Sequence, residues 1–247
     1  MYNISIIVAT YNAEKYIERC LLSIISNKSE IVELVIIDGG STDETTKIIG
    51  KYKPHIDYFI SEKDNGIYDA WNKALKVVKG KWIQFIGADD IMFSDALNKM
   101  LAFADTAEVD EIDLILGKEE LVDASGKLLK YYGAPFSWSI FRNYMNIAHG
   151  ASFHNRKLFD EVGFFDTSYK SSADYELLLR KRNTLNCIFM DEIIIKMQIG
   201  GTSFSIKGLI ETFKVKQQHK SNNLLMNSYY LIKGILGLAF KRLIWKI

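Results

Sequence analysis

The chain has 247 residues, 48% of them apolar and 25% charged, with 16 glycines and only 2 prolines. At about 150 residues per domain this is one to two domains with room for a large core, and the balance excludes disordered and collagen-like chains. Formal charge is +1, from 31 Lys and Arg against 30 Asp and Glu, so no overall basic excess points to nucleic acid, but residues 207–247 hold eight Lys and Arg against Glu211 alone. That leaves +7 in the last stretch and −6 in residues 1–206.

In chain order, Ile4–Val8 opens an apolar run with no Lys or Arg before it, turning polar at Thr10, and reads as a buried strand rather than a leader. Leu34–Ile37 and Trp82–Ile86 are similar short runs, rich in branched and aromatic residues, the pattern of strands covered on both faces of a parallel sheet. Between them, apolar residues recur at helical spacing over Tyr16–Ile25 and Ile67–Val78. The alternation specifies βαβ units, whose ligands sit where strand C-termini meet the following loops. Further on, Leu114–Gly117, then Glu119–Asp123, a turn at Ala124–Gly126, and Lys127–Tyr131 predict a strand followed by a hairpin. Ser171 and Ser172 offer caps for a helix over Ala173–Arg182, and Cys187–Met190 and Ile193–Met197 predict two further strands. The expectation is an α/β domain over residues 1–206, with a mainly parallel central sheet flanked by helices and a small β-hairpin region. A C-terminal helical extension, 207–247, follows it. Cys20 and Cys187 stand far apart and outside any Cys/His cluster, which favours a reducing, cytoplasmic setting.

The polar residues at strand ends are the candidates for chemistry. The first strand ends in Thr10-Tyr11-Asn12 and the second in Asp38-Gly39-Gly40-Ser41-Thr42-Asp43, so two polar loops emerge on one sheet edge, suited to a nucleotide. No G-x-G-x-x-G is present, which speaks against a dinucleotide enzyme. Glu62–Asn72 is a polar loop running into a helix, with Asp69 and Asn72 three apart on one face that would line the same cleft. The third strand ends in Gly87-Ala88-Asp89-Asp90, and adjacent carboxylates there suit a hard divalent metal bridging phosphates. Asp174, in the first turn of its helix, would stay ionised and free to take a proton. His149 reads equally as a structural histidine or a substrate contact.

In order, I-V-A-T-Y-N-A at 7–13, D-G-G-S-T-D at 38–43, D-N-G-I-Y-D-A-W-N at 64–72, G-A-D-D at 87–90 and A-D-Y-E-L at 173–177 resemble glycosyltransferase family 2 over roughly residues 1–205. The resemblance implies a GT-A fold and inverting transfer from a nucleotide sugar, a UDP-sugar being favoured. It implies that Thr10, Tyr11, Asn12, Asp38, Gly39 and Asp69 surround the nucleotide and that Asp89 faces ribose or donor. Asp90 would bind Mg²⁺ or Mn²⁺, and Asp174 matches the general base. Gly200–Ser203 resembles the family's closing loop, which makes Gly201 and Thr202 candidate substrate contacts. Gly87, Gly39 and Ala173 depart from the family pattern, each standing where an acidic residue is frequent. The Q-x-x-R-W motif of processive polymerases is missing, which favours transfer of a single sugar to a glycan or lipid-linked glycan. Two other readings compete. A nucleotidyltransferase would need a basic Gly-rich loop that Thr10–Ala13 lacks, and an inactive sugar-nucleotide-binding protein would have no use for Asp174.

In the extension, the net +7 is interleaved with Phe213, Tyr229, Tyr230, Phe240 and Trp245, which suits an anionic surface at the inner face of the cell membrane. Its longest uncharged apolar run, 234–240, is far short of the ~20 residues that span a bilayer. Lys233 and Arg242, nine apart, project to opposite sides of a helix, so the stretch is not cleanly amphipathic, and packing on the catalytic domain or a subunit contact are its competing readings.

Overall fold

A computed structural model describes residues 3–106, 109, 111–200 and 205–245. In chain order it holds β1 (Ile4–Thr10), α1 (Ile17–Ile25), β2 (Val32–Asp38), α2 (Thr45–Lys51), β3 (Tyr58–Ser61), α3 (Ile67–Leu75), β4 (Trp82–Gly87) and β5 (Ile91–Met92). Next come α4 (Ala96–Thr106), β6 (Leu114–Val122), β7 (Leu128–Tyr132), α5 (Trp138–Phe141), β8 (Ser152–Asn155) and α6 (Arg156–Val162). The chain continues through α7 (Ala173–Leu179), β9 (Cys187–Gln198), α8 (Ile206–Gln218) and α9 (Leu224–Trp245).

The strands join in one sheet of order β3-β2-β1-β4-β8-β6-β9-β5, with β7 paired to β6. β3, β2, β1 and β4 run parallel, as their apolar runs predict, and every residue of β1 and β2 is buried. The two faces part by alternation. Ile4, Ile6, Val8, Leu34 and Ile36 pack with Ile17, Cys20, Leu21 and Ile24 of α1. Ile7, Val35 and Ile37 pack on the other side with Tyr68, Trp71 and Ala74 of α3 and with Tyr175, Leu178 and Leu179 of α7.

Beyond β4 the sheet departs from a pure βαβ repeat. β8 runs antiparallel between β4 and β6, and β6 and β7 form the expected hairpin. Leu114–Val122 is one strand rather than two pieces, because it pairs with β9 along its length and absorbs the break at Gly117 as register shifts. Cys187–Gln198 is likewise continuous. The predicted helix over 173–182 ends at Leu179, and that over 67–78 at Leu75.

The basic extension is two helices packed on the domain. α8 is capped by the Ser205 side chain, which accepts from Gly208 N–H at 3.1 Å, and its Val215 joins the core beside Tyr175. α9 folds back on α8 with close approach at Gly234, where a Cβ would lie 3.0 Å from Leu209 Cδ2. Among the described residues no helix is long and apolar enough to cross a membrane.

Candidate active site

Register places the candidate loops together: Thr10 lies opposite Asp38, and Ala9 opposite Gly87, so three parallel strands deliver their polar ends to one edge. The first two loops lace into one unit. Asn12, at φ 48°, donates its N–H to Ser41 Oγ at 2.8 Å, and its Oδ1 accepts from Thr42 N–H at 2.9 Å. Thr10 is buried with an unpartnered hydroxyl, whereas Tyr11 stands exposed. Asp38, expected to help surround the nucleotide, is fully buried, and its carboxylate accepts from Gly40 and Ser41 N–H and from the Ser41 and Ser61 hydroxyls. Its carboxylate braces the loop from beneath.

The departure at Gly39 has a steric cause. A Cβ there would lie 2.6 Å from Asp64 Oδ2, so the Asp64 carboxylate already fills that space, fixed by a 2.9 Å bond from Gly66 N–H. Asp69 turns back on its own loop, accepting from Asn65 N–H at 3.0 Å, and borders a small cavity with Gly66, Tyr68, Thr167 and Lys170. Asn72 does not line the cleft. Its amide is paired with the backbone of Phe165, donating at 2.8 Å and accepting at 3.0 Å, and this pins the loop before α7 to α3.

At the end of β4, Asp89 is exposed and Asp90 buried. Both fold back over Gly87, whose Cβ would sit 2.9 Å from Asp89 Oδ1 and 3.0 Å from Asp90 Oδ2, so an acidic residue at 87 has no room in this arrangement. Asp90 receives one backbone bond, from Gly87 N–H at 3.0 Å. Burial, with the negative charges of Asp89 and Glu119, drives its carboxyl well above the usual range. The nearby Arg19 opposes this only in part, and a divalent cation would offset the remaining negative charge; the residues therefore fit a metal. Among the described residues no group of three or more His, Cys, Asp or Glu is arranged to hold an ion alone, so the remaining ligands would come from a diphosphate or water.

Glu119, on β6, also faces this region and goes unmarked in the sequence, where Glu119–Asp123 reads only as part of a strand and hairpin. It is buried, accepts from Gly150 N–H at 3.0 Å, and is pushed up to about 7 chiefly by burial. It lies on the Asp90 side of Gly150, whose Cβ would sit 3.1 Å from Glu119 Oε1 and 4.0 Å from Asp90 Oδ2, and the charge of Asp174 also raises its carboxyl.

Asp174 opens α7. Burial raises its carboxyl above the ordinary range, opposed by the Tyr175 N–H and by the Tyr68 hydroxyl, which donates to Oδ1 at 3.0 Å. That partner, 106 positions away, carries no local signal in the sequence. The loop before α7 is held by Glu211 of α8, whose carboxylate accepts from Lys170 N–H at 3.0 Å and from Ser171 N–H at 2.7 Å. His149 lies in an aromatic stack, 5.2 Å from Trp71 and 5.5 Å from Phe85. Burial pushes it down to about 4, so it is neutral at physiological pH. Gly201 and Thr202 lie outside the described residues.

A family model described as "Glycosyl transferase family 2" matches residues 5–164. A "PGL/p-HBAD biosynthesis glycosyltransferase" of Mycobacterium tuberculosis is 32% identical over 180 residues, covering 71% of this chain and 68% of that one. An uncharacterized glycosyltransferase of Rickettsia prowazekii is 25% identical over 203 residues, 79% of this chain and 64% of that one. Among solved structures, S. aureus TarS 1-349 in complex with UDP-GlcNAc superposes with a TM-score of 0.67 at 20% identity, over 97% of this chain and 73% of that one. Mannosyltransferase PcManGT from Pyrobaculum calidifontis, in complex with GDP-Man and Mn²⁺, gives 0.66 at 17%, over 98% and 76%. These likenesses establish the shared GT-A fold.

Proposed function

The chain belongs to glycosyl transferase family 2 and is a glycosyltransferase, and from that premise we propose that it transfers one sugar from a nucleotide sugar, with inversion, to a hydroxyl of a glycan or lipid-linked glycan. The observation that carries this reading is Asp174: a buried carboxylate in the first turn of α7, oriented by the Tyr68 hydroxyl at 3.0 Å and close enough for its charge to act on Glu119. An attacking hydroxyl at Asp174 gives its proton to the carboxylate as its oxygen bonds the anomeric carbon, and the bond to the leaving diphosphate breaks on the opposite side, which inverts the centre.

The donor would rest on the laced loops of Thr10, Tyr11, Asn12, Gly39 and Asp69, with Asp38 shaping them from below and Asp89 reaching the ribose or donor. A UDP-sugar is favoured, in keeping with the UDP-GlcNAc complex of the structural neighbour. Asp90 would hold Mg²⁺ or Mn²⁺; a bound cation would offset charge on the departing diphosphate. Gly201 and Thr202 are proposed to close over the donor. The same reading sets the protein in the cytoplasm, peripheral at the inner face of the membrane.

Asp174→Asn tests it. UDP binding by calorimetry with Mn²⁺ should persist, while sugar transfer falls by on the order of 10² to 10⁴. Transfer at the parental rate would move the base elsewhere, to Glu176 or Asp166.

A further inference from the structure

We propose that the outer face of α9 is a lipid-docking surface that seats the enzyme on an anionic membrane; this rests on the transferase reading above for its purpose and names the surface that does the seating. The inner side of the helix is given by what it buries: Asn227 is fully buried, Leu238 is 9% exposed, and Gly234 meets Leu209 of α8. At about 100° per residue, Leu225, Tyr229, Ile232, Leu236 and Phe240 all fall within a sector of roughly 80° pointing the opposite way. Their exposures are 79%, 54%, 59%, 66% and 64%. Single exposed apolar side chains are ordinary, but an unbroken stripe along the water-facing side of a helix reverses the usual amphipathic pattern and marks a contact surface. The charges alone conceal this stripe; the packing of α9 on α8 reveals it.

The charge pattern selects the occupant. From Thr212 to Ile247 there is no Asp or Glu, and exposed Lys233 borders the stripe. The 4-3-4 spacing of the first four stripe residues would also suit a second copy of α9, but pairing would bring cationic helices together with no acid on either to offset them. Anionic headgroups offset Lys233 at the edge of the stripe, while the apolar stripe enters the acyl boundary and Tyr229 sits at its level. Because α9 is too polar to span, it would lie in the plane of the surface. The helix is tied to the site through α8, its packing partner, which holds the loop of Asp174 through Glu211. A surface seated on α9 is thus held rigidly with respect to the base, as a lipid-borne acceptor would require.

The test is sedimentation of the full-length protein with vesicles of phosphatidylcholine alone or mixed with phosphatidylglycerol. The parental chain should pellet with the mixed vesicles and be released by salt. Ile232→Glu with Leu236→Glu should weaken this at least about tenfold, while UDP binding in solution is kept. Should the double variant lose its fold, Lys233→Glu decides, with a weaker but clear loss expected. Parental protein that stays in solution with anionic vesicles overturns the proposal. So does a double variant that pellets like the parent, or a parental dimer that this variant splits while vesicle binding is absent. Retained UDP binding in a variant that no longer pellets separates failure at the membrane from failure of the transferase reading.

Discussion

The Tyr68 hydroxyl has a definite task at Asp174. A hydrogen bond to a charged carboxylate favours the ionised form, and this one opposes the burial that raises Asp174. Removing it in Tyr68→Phe should therefore raise the Asp174 pKa, and the base works only when deprotonated. The acid limb of the kcat/KM profile should move to higher pH by about half to one unit, with the alkaline side unchanged. A fall in rate equal at every pH would mean that Tyr68 only packs. Glycines show the same economy: at 39 and 87 neighbouring carboxylates already occupy the space that a side chain would need.

Among the elements, those with both faces covered were legible. β1, β2 and β4 announced themselves as apolar runs because helices pack on each side. β3 was not, since its Tyr58 and Phe59 are exposed at the sheet edge, and β8 was not because Ser152, His154 and Asn155 are polar yet buried. The strand ends of the site could be read in sequence, but Asp38, Asn72 and Glu119 took roles that only tertiary packing sets. The extension also hid a buried cation. Lys216 of α8 is 2% exposed, donates to the Asn143 carbonyl at 2.9 Å, and is pushed down from 10.5 to about 8 by burial. Its pKa is lower folded than unfolded, so the unfolded chain binds the extra proton and stability rises with pH across that window. Relative to Lys216→Met, the parental protein should gain thermal stability between pH 8 and about 10; a constant difference in Tm would contradict the lowered value.

For the whole molecule, the boundary near residue 206 is a change of composition that the packing crosses. Val215 is fully buried in the core shared with α7, and Glu211 bonds the backbone at Lys170 and Ser171. A chain ending at Ser205 should lose about 3 kcal/mol or more from the buried valine and the charge-assisted bonds. Thermal scanning should then show Tm lower by on the order of 10 °C, and an unchanged Tm would mean that the two helices are an independent appendage. The placement of Asp174 also has a consequence in time. Its carboxylate is set by a hydroxyl 106 positions before it, and its loop by an acid 37 positions after it. During synthesis the nucleotide loops can assemble while the chain is still being made, but the base is not seated until α8 has left the ribosome. In the proposed reaction the donor loops would thus be complete before the base, and competence would arrive only with α8.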